Sequence, residues 1–217
     1  MNTRSGKLIA TLFVAACALS TGAAGASGLD GLEAFLKTAK TGRADFTQLV
    51  TSPPKDGQAP RAKTSSGTFE FARPSRFRFV YKKPFEQTIV ADGQTLWLYD
   101  IDLNQVTARK QSQVLGASPA ALIASAPDLR ALQADFALAA APDKDGLEWV
   151  LATPKSKDSQ LQTVRVGFKG NDLAVLEILD SFGQQSVMRF SSYQANATLD
   201  AATFQFKPPA GADVVRQ

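Results

Sequence analysis

FARPSRFRFVY, Phe71 to Tyr81, reads as the end of one strand and the start of the next, hinged at Pro74. After the proline the aromatics Phe77, Phe79 and Tyr81 fall on alternate positions, with Arg76 and Arg78 between them. Successive strand side chains point to opposite faces, so one face is aromatic and the other charged. Before the proline, Phe69 and Phe71 alternate in the same way. Two such strands joined tightly are the unit of an antiparallel sheet with one apolar face.

Working outward, the pattern continues. Gln87–Val90 and Thr95–Tyr99 flank Ala91-Asp92-Gly93-Gln94, where Asp-Gly supplies the positive φ of a tight hairpin. On the second strand Leu96 and Leu98 oppose Trp97 and Tyr99, and the leucines are assigned to the inner face. Val106–Lys110 follows as a strand. Later strands are expected at Asp135–Ala139, Leu147–Thr153, Thr163–Phe168, Leu173–Asp180 and Gln184–Tyr193, with Phe204 and Phe206 closing the series. Short turns between sequential strands favour an antiparallel meander over crossovers.

Helices are few. Leu29, Leu32, Phe35 and Leu36 form an apolar stripe over 28–40, and Thr41-Gly42 is expected to end that helix. Ala44 to Val50 then reads as a strand, and Ser52 to Gly67 as an exposed loop rich in Pro, Gly and Lys. Ser118-Pro119 opens a second helical region carrying Leu122 and Ile123, and Pro127 restarts it as Asp128 to Ala131. The fold class is mainly β (α+β). A large antiparallel sheet curls because strand twist accumulates. A half-barrel covered by the first helix and two short ones fits these parts, and a barrel or sandwich fits almost as well on pattern alone.

Composition narrows the chemistry. The chain has 217 residues, enough for one domain with a core, and a net charge of +4 without a block of like charge, so nothing calls for nucleic acid. Without histidine there is no Ser-His-Asp triad and no usual zinc or copper ligand set. No phosphate-binding glycine loop is present. Asp100 and Asp102 are the nearest carboxylate pair and read as a solvated turn. No enzymatic role and no cofactor are expected.

The first 26 residues read as an export signal: Arg4 and Lys7, then apolar Leu8 to Ser20, then the small-residue site Ala24-Gly25-Ala26. The domain is expected over 27–217, exported and without cysteine. Val14-Ala15-Ala16-Cys17 leaves a second possibility, a lipidated cysteine at the mature start. The 14 phenylalanines pose the remaining question, whether they are core or line a hollow for a ligand.

Arg73 to Val106 resembles the bacterial outer-membrane lipoprotein carrier family, LolA. The residues that carry the resemblance are Arg73-Pro74, Phe77, Phe79, Pro84, the hairpin Val90-Ala91-Asp92-Gly93-Gln94-Thr95-Leu96-Trp97-Leu98-Tyr99, and Gln105-Val106. Weaker agreement includes Phe46-Thr47-Gln48, Ser118-Pro119 and Phe204-x-Phe206-x-Pro208-Pro209. The resemblance implies a monomeric periplasmic chaperone that takes acylated lipoproteins from the inner-membrane transporter LolCDE and passes them to the outer-membrane receptor LolB. It implies an acyl-chain hollow and lid built from Leu32, Phe35, Leu36, Phe69, Phe71, Phe77, Phe79, Ile89, Leu96, Leu98, Leu122 and Ile123, with Arg73 as the latch on the lid helices. A lipidated receptor of the same fold, or a binder of other lipids or glycolipids, is the alternative. Arg76 and Arg78 depart from the family pattern and are expected to face solvent.

Overall fold

A computed structural model of the chain describes residues 27–54, 58–114, 124 and 126–217. The export signal, Cys17, Leu122 and Ile123 lie outside the described residues.

Helix α1, Gly28–Thr38, starts from a capping box in which Ser27 and Asp30 satisfy each other's backbone N–H groups. It ends at Thr38, two residues earlier than the glycine implied. Gly42 is already in β1, Thr41–Ser52, and its role is spatial: a Cβ there would stand 2.3 Å from Cε1 of Phe71. The chain then runs β2 Arg61–Ala72, β3 Arg76–Lys83, β4 Gln87–Asp92, β5 Thr95–Asp100 and β6 Gln105–Lys110 as one antiparallel meander. Half of the stretch expected as a loop, Ser52 and 61–67, is therefore strand. Polar residues from Arg61 to Ser66 pair with β1 all the way to Ser52.

Short α2, Gln111–Val114, leaves this meander, and α3, Leu129–Asp135, leads into a second. That one comprises β7 Phe136–Lys144, β8 Leu147–Pro154, β9 Leu161–Lys169, β10 Asp172–Asp180 and β11 Gln185–Ala195. β11 pairs with β1 and fuses the two halves. The result is an open curved sheet of 12 strands in the order β12-β6-β5-β4-β3-β2-β1-β11-β10-β9-β8-β7. The connection from β6 to β7 must therefore bridge opposite sides of the sheet.

The last segment departs from expectation. Phe204 and Phe206 are not a strand. Ala201–Phe204 is a 3-10 turn, and β12 is Asp213–Arg216, which joins β6 in parallel. This tail covers the convex face. Phe206 packs 5.5 Å from Trp97 and 6.0 Å from Tyr99, centroid to centroid, and Arg76 lies over the Phe204 ring. Arg76 is thus half-buried, and Arg78 is drawn toward Glu70 at 3.9 Å, so neither is simply solvated.

On the concave face, register places Phe71, Phe77, Ala91 and Leu96 in one row and Phe69, Phe79, Ile89 and Leu98 in the next. α1 lays Leu32, Phe35 and Leu36 against this face, each at most 2% exposed, in one cluster with Phe46, Val150, Val166, Phe168 and Met188. Among the described residues, no helix is long and apolar enough to cross a membrane.

Curvature has a local cause in β2. The β2–β3 register shifts between Ser66 and Gly67, and a Cβ on Gly67 would sit 1.9 Å from the Val80 carbonyl oxygen. Such an approach at a bulge tolerates only glycine. Gly67→Ala is expected to destabilise the protein by about 2 kcal/mol, because the obstructing atom is backbone. A urea midpoint lowered at unchanged slope checks this.

Candidate functional site

Arg73 sits in the turn between β2 and β3, where the first sheet half meets α1 and the chain entering α3. Its Nε donates to the Ala39 carbonyl at 2.9 Å and one Nη to the Ala126 carbonyl at 2.8 Å. The guanidinium also lies over the rings of Phe35 (5.1 Å) and Phe71 (5.4 Å), within cation–π range. The other Nη is buried with no partner among the described residues. Burial pushes the guanidinium down to about 10, which leaves it cationic at neutral pH.

Two opposing effects set the strength of this contact. Hydrogen bonds from a charged donor contribute about 1.5–3 kcal/mol each. Desolvation of the cation and the unpaired Nη subtract from that sum. The net strength of the contact is therefore smaller than the sum of its two bonds.

The same turn is fastened twice more. The Ser75 amide donates to the Ala124 carbonyl at 3.1 Å. Gln111, 1% exposed, donates from Nε2 to the Ser75 carbonyl at 2.6 Å and accepts from the Gly93 amide at 2.9 Å. Lys155 Nζ donates to the Gln133 carbonyl near the end of α3. Both ends of the bridging segment are thus tied to the sheet, chiefly through backbone carbonyls. Tyr193, packed 6.4 Å from Phe35, has a buried hydroxyl without a partner among the described residues. Burial, reinforced by Asp172, raises its pKa.

The motif hairpin has its own logic. Asp92 accepts from the amides of Gln94 and Thr95 through one oxygen and from Trp97 Nε1 through the other. Burial pushes the Asp92 carboxyl up, and these bonds more than offset it, so its pKa is lowered. Trp97 is thereby held on the convex side, which leaves Leu96 and Leu98 on the concave row.

The sequence-predicted hollow residues fall as follows. Leu32, Phe35, Leu36, Phe69, Phe71, Phe77 and Phe79 are buried together, while Ile89 and Leu96 pack half-buried against them. Leu98 shares the row of Ile89 and is half-buried. Aromatic contacts knit the group: Phe69 lies 4.4 Å from Phe79, and Phe46 lies 5.0 Å from Tyr81. Beyond Tyr81 the concave side opens as a groove of about 500 Å³, lined by Gln48, Val50, Lys63, Ser65, Tyr81, Gln87 and Asp100. Phe85 (59% exposed) and Leu103 (71%) stand at its lip. Sequence reading gave no role to Gln111, whose partners Gly93 and Ser75 lie 18 and 36 residues away, or to Tyr193, which packs on Phe35 from the far end of the chain.

Comparison with known proteins agrees with this architecture. Residues 37–207 match the family described as "Outer membrane lipoprotein carrier protein LolA". The outer-membrane lipoprotein carrier protein of Albidiferax ferrireducens is 71% identical over 215 residues, covering 97% of this chain and 100% of its own. That of Methylibium petroleiphilum is 53% identical over 206 residues, covering 95% and 98%. Among solved structures, an uncharacterized conserved protein from Thermus thermophilus has a TM-score of 0.50 at 15% identity, covering 87% of this chain and 96% of that one, a likeness of fold alone. With a family match over most of its length and near-full-length relatives at this identity, the chain belongs to the LolA family of outer membrane lipoprotein carrier proteins.

Proposed function

We propose that the protein is a periplasmic carrier that shields the acyl chains of lipoproteins in the concave side of its sheet and releases them to an outer-membrane receptor. The observation that carries the reading is a phenylalanine-lined concave face whose cover is fastened by exchangeable hydrogen bonds, those of Arg73 foremost. Each buried CH₂ of an acyl chain contributes about 0.8 kcal/mol, so a few methylenes outweigh the bonds that hold the cover. Loading exchanges cover contacts for tail contacts, and release reverses the exchange. Binding and hand-over suffice, with no bond made or broken. The upstream and downstream partners in this reading are LolCDE and LolB, and the protein acts as a monomer exported without its first 26 residues.

Purification from the periplasm of a Gram-negative host tests this directly. Proteins with a lipid-modified N-terminal cysteine are expected to co-purify, and the intact mass is expected to match a chain starting at Ser27. Recovery of free lipids or glycolipids alone would make it a different lipid binder, and a mass beginning at a lipidated Cys17 would make it a receptor.

A further inference from the structure

The concave face changes character at one line. Tyr81 Oη donates to Gln48 Oε1 at 3.0 Å, and Gln48 Nε2 donates to Ser186 Oγ at 2.8 Å. These three residues come from β3, β1 and β11, so the line runs across the floor of the sheet. On one side lie Phe46, Phe69, Phe79 and the rest of the apolar cluster. On the other lies the groove with Lys63, Ser65, Gln87 and Asp100. Ser186 is 8% exposed, one of only two polar side chains buried to that degree among the described residues.

The hydrogen-bond inventory of this line leaves two donors unused. The Gln48 oxygen accepts from Tyr81, and the Ser186 oxygen accepts from Gln48. Left over are the second N–H of Gln48 and the hydroxyl hydrogen of Ser186, neither with a further partner among the described residues, beside lone pairs that the three oxygens retain. Burial pushes the Tyr81 phenol up to about 12, so it stays a donor. Spare donors beside an adjoining apolar wall suit a hydrogen-bond acceptor attached to hydrocarbon.

Resting on the carrier reading above, we propose that the Tyr81–Gln48–Ser186 line binds the ester carbonyls where the acyl chains of the cargo join their glycerol. Gln48 makes the contact, and Tyr81 positions its amide. The tails then extend toward the phenylalanines, and the polypeptide leaves through the groove past Phe85 and Leu103. The line fixes the direction in which cargo lies as well as its depth.

The test compares two probes: a dipalmitoylglyceryl-cysteinyl peptide, with ester-linked tails, and its dihexadecyl ether counterpart. Each displaces a fluorescent fatty acid from the purified protein. Burying an ester carbonyl without a donor costs free energy, so a plain apolar hollow favours the ether. The wild-type protein is instead expected to bind the ester about tenfold tighter. Gln48→Leu should reduce that ratio to within about twofold, and Tyr81→Phe should reduce it in part. Equal or weaker ester binding by the wild type, which needs no variant to fold, overturns the proposal, as does a ratio that survives Gln48→Leu. If neither probe displaces the fatty acid, it is the carrier reading that fails.

Discussion

Arg73→Leu is expected to yield a carrier that loads and fails to unload. The substitution keeps apolar volume beside Phe35 and Phe71 but removes both donors, leaving the carbonyls of Ala39 and Ala126 without the bonds that join them. On the proposed carrier reading those bonds hold the cover down and are given up on loading, so the fastened form is the one they stabilise. Their loss raises that form relative to the loaded one by about 3 kcal/mol, after allowing for the desolvation that the cation no longer suffers. On the same reading hand-over ends with the cover refastened, and the equilibrium for release then shifts by the same amount, roughly a hundredfold toward retention. Incubating preloaded protein with receptor and measuring the fraction transferred checks this. Delivery at the normal extent removes Arg73 from the mechanism. Arg73→Lys should fall between, since an ammonium cannot span both carbonyls with the planar fork of a guanidinium.

Phe35→Ala carries the largest expected loss of stability, about 3–5 kcal/mol. Phe35 is 1% exposed and touches Phe71, Phe168 and Tyr193 at centroid distances of 5.7 to 6.4 Å, besides lying under Arg73. Its removal leaves a cavity between α1 and the sheet that neighbouring rings, held by their own strands, cannot fill. Urea unfolding followed by circular dichroism measures the loss. A decrease below about 1 kcal/mol would mean that the helix repacks freely and is not a fixed part of the closed form.

What sequence can and cannot reveal follows from the range of each interaction. FRFVY is legible because period-two alternation is a local property, and the neighbouring hairpin is legible because Asp92 and Gly93 form their turn within a few residues. Gly42 misleads because a glycine after an apolar stripe looks like a helix stop. Its actual constraint is a ring on β2, 29 positions away in Phe71. The stretch after Ser52, rich in Pro, Gly and Lys, looks like a loop because a two-faced polar strand has no hydrophobic period, and only β1 reveals it. Phe204 and Phe206 alternate, but two residues do not specify a strand, and packing on Trp97 and Tyr99 decides otherwise. From its neighbours alone Arg73 is an ordinary strand-end arginine. Its acceptors are backbone carbonyls 34 and 53 residues away, so only the family resemblance singles it out.

The ladder of twelve strands starts at β12 and stops at β7 without returning to its beginning. A closed ladder has its girth set by strand number and stagger. An unclosed one behaves like a leaf spring: it can widen by relaxing twist between neighbours while every rung stays intact. On the proposed carrier reading, tails of different number or length then fit one and the same scaffold, the difference in girth being absorbed across many strand pairs rather than at a single hinge.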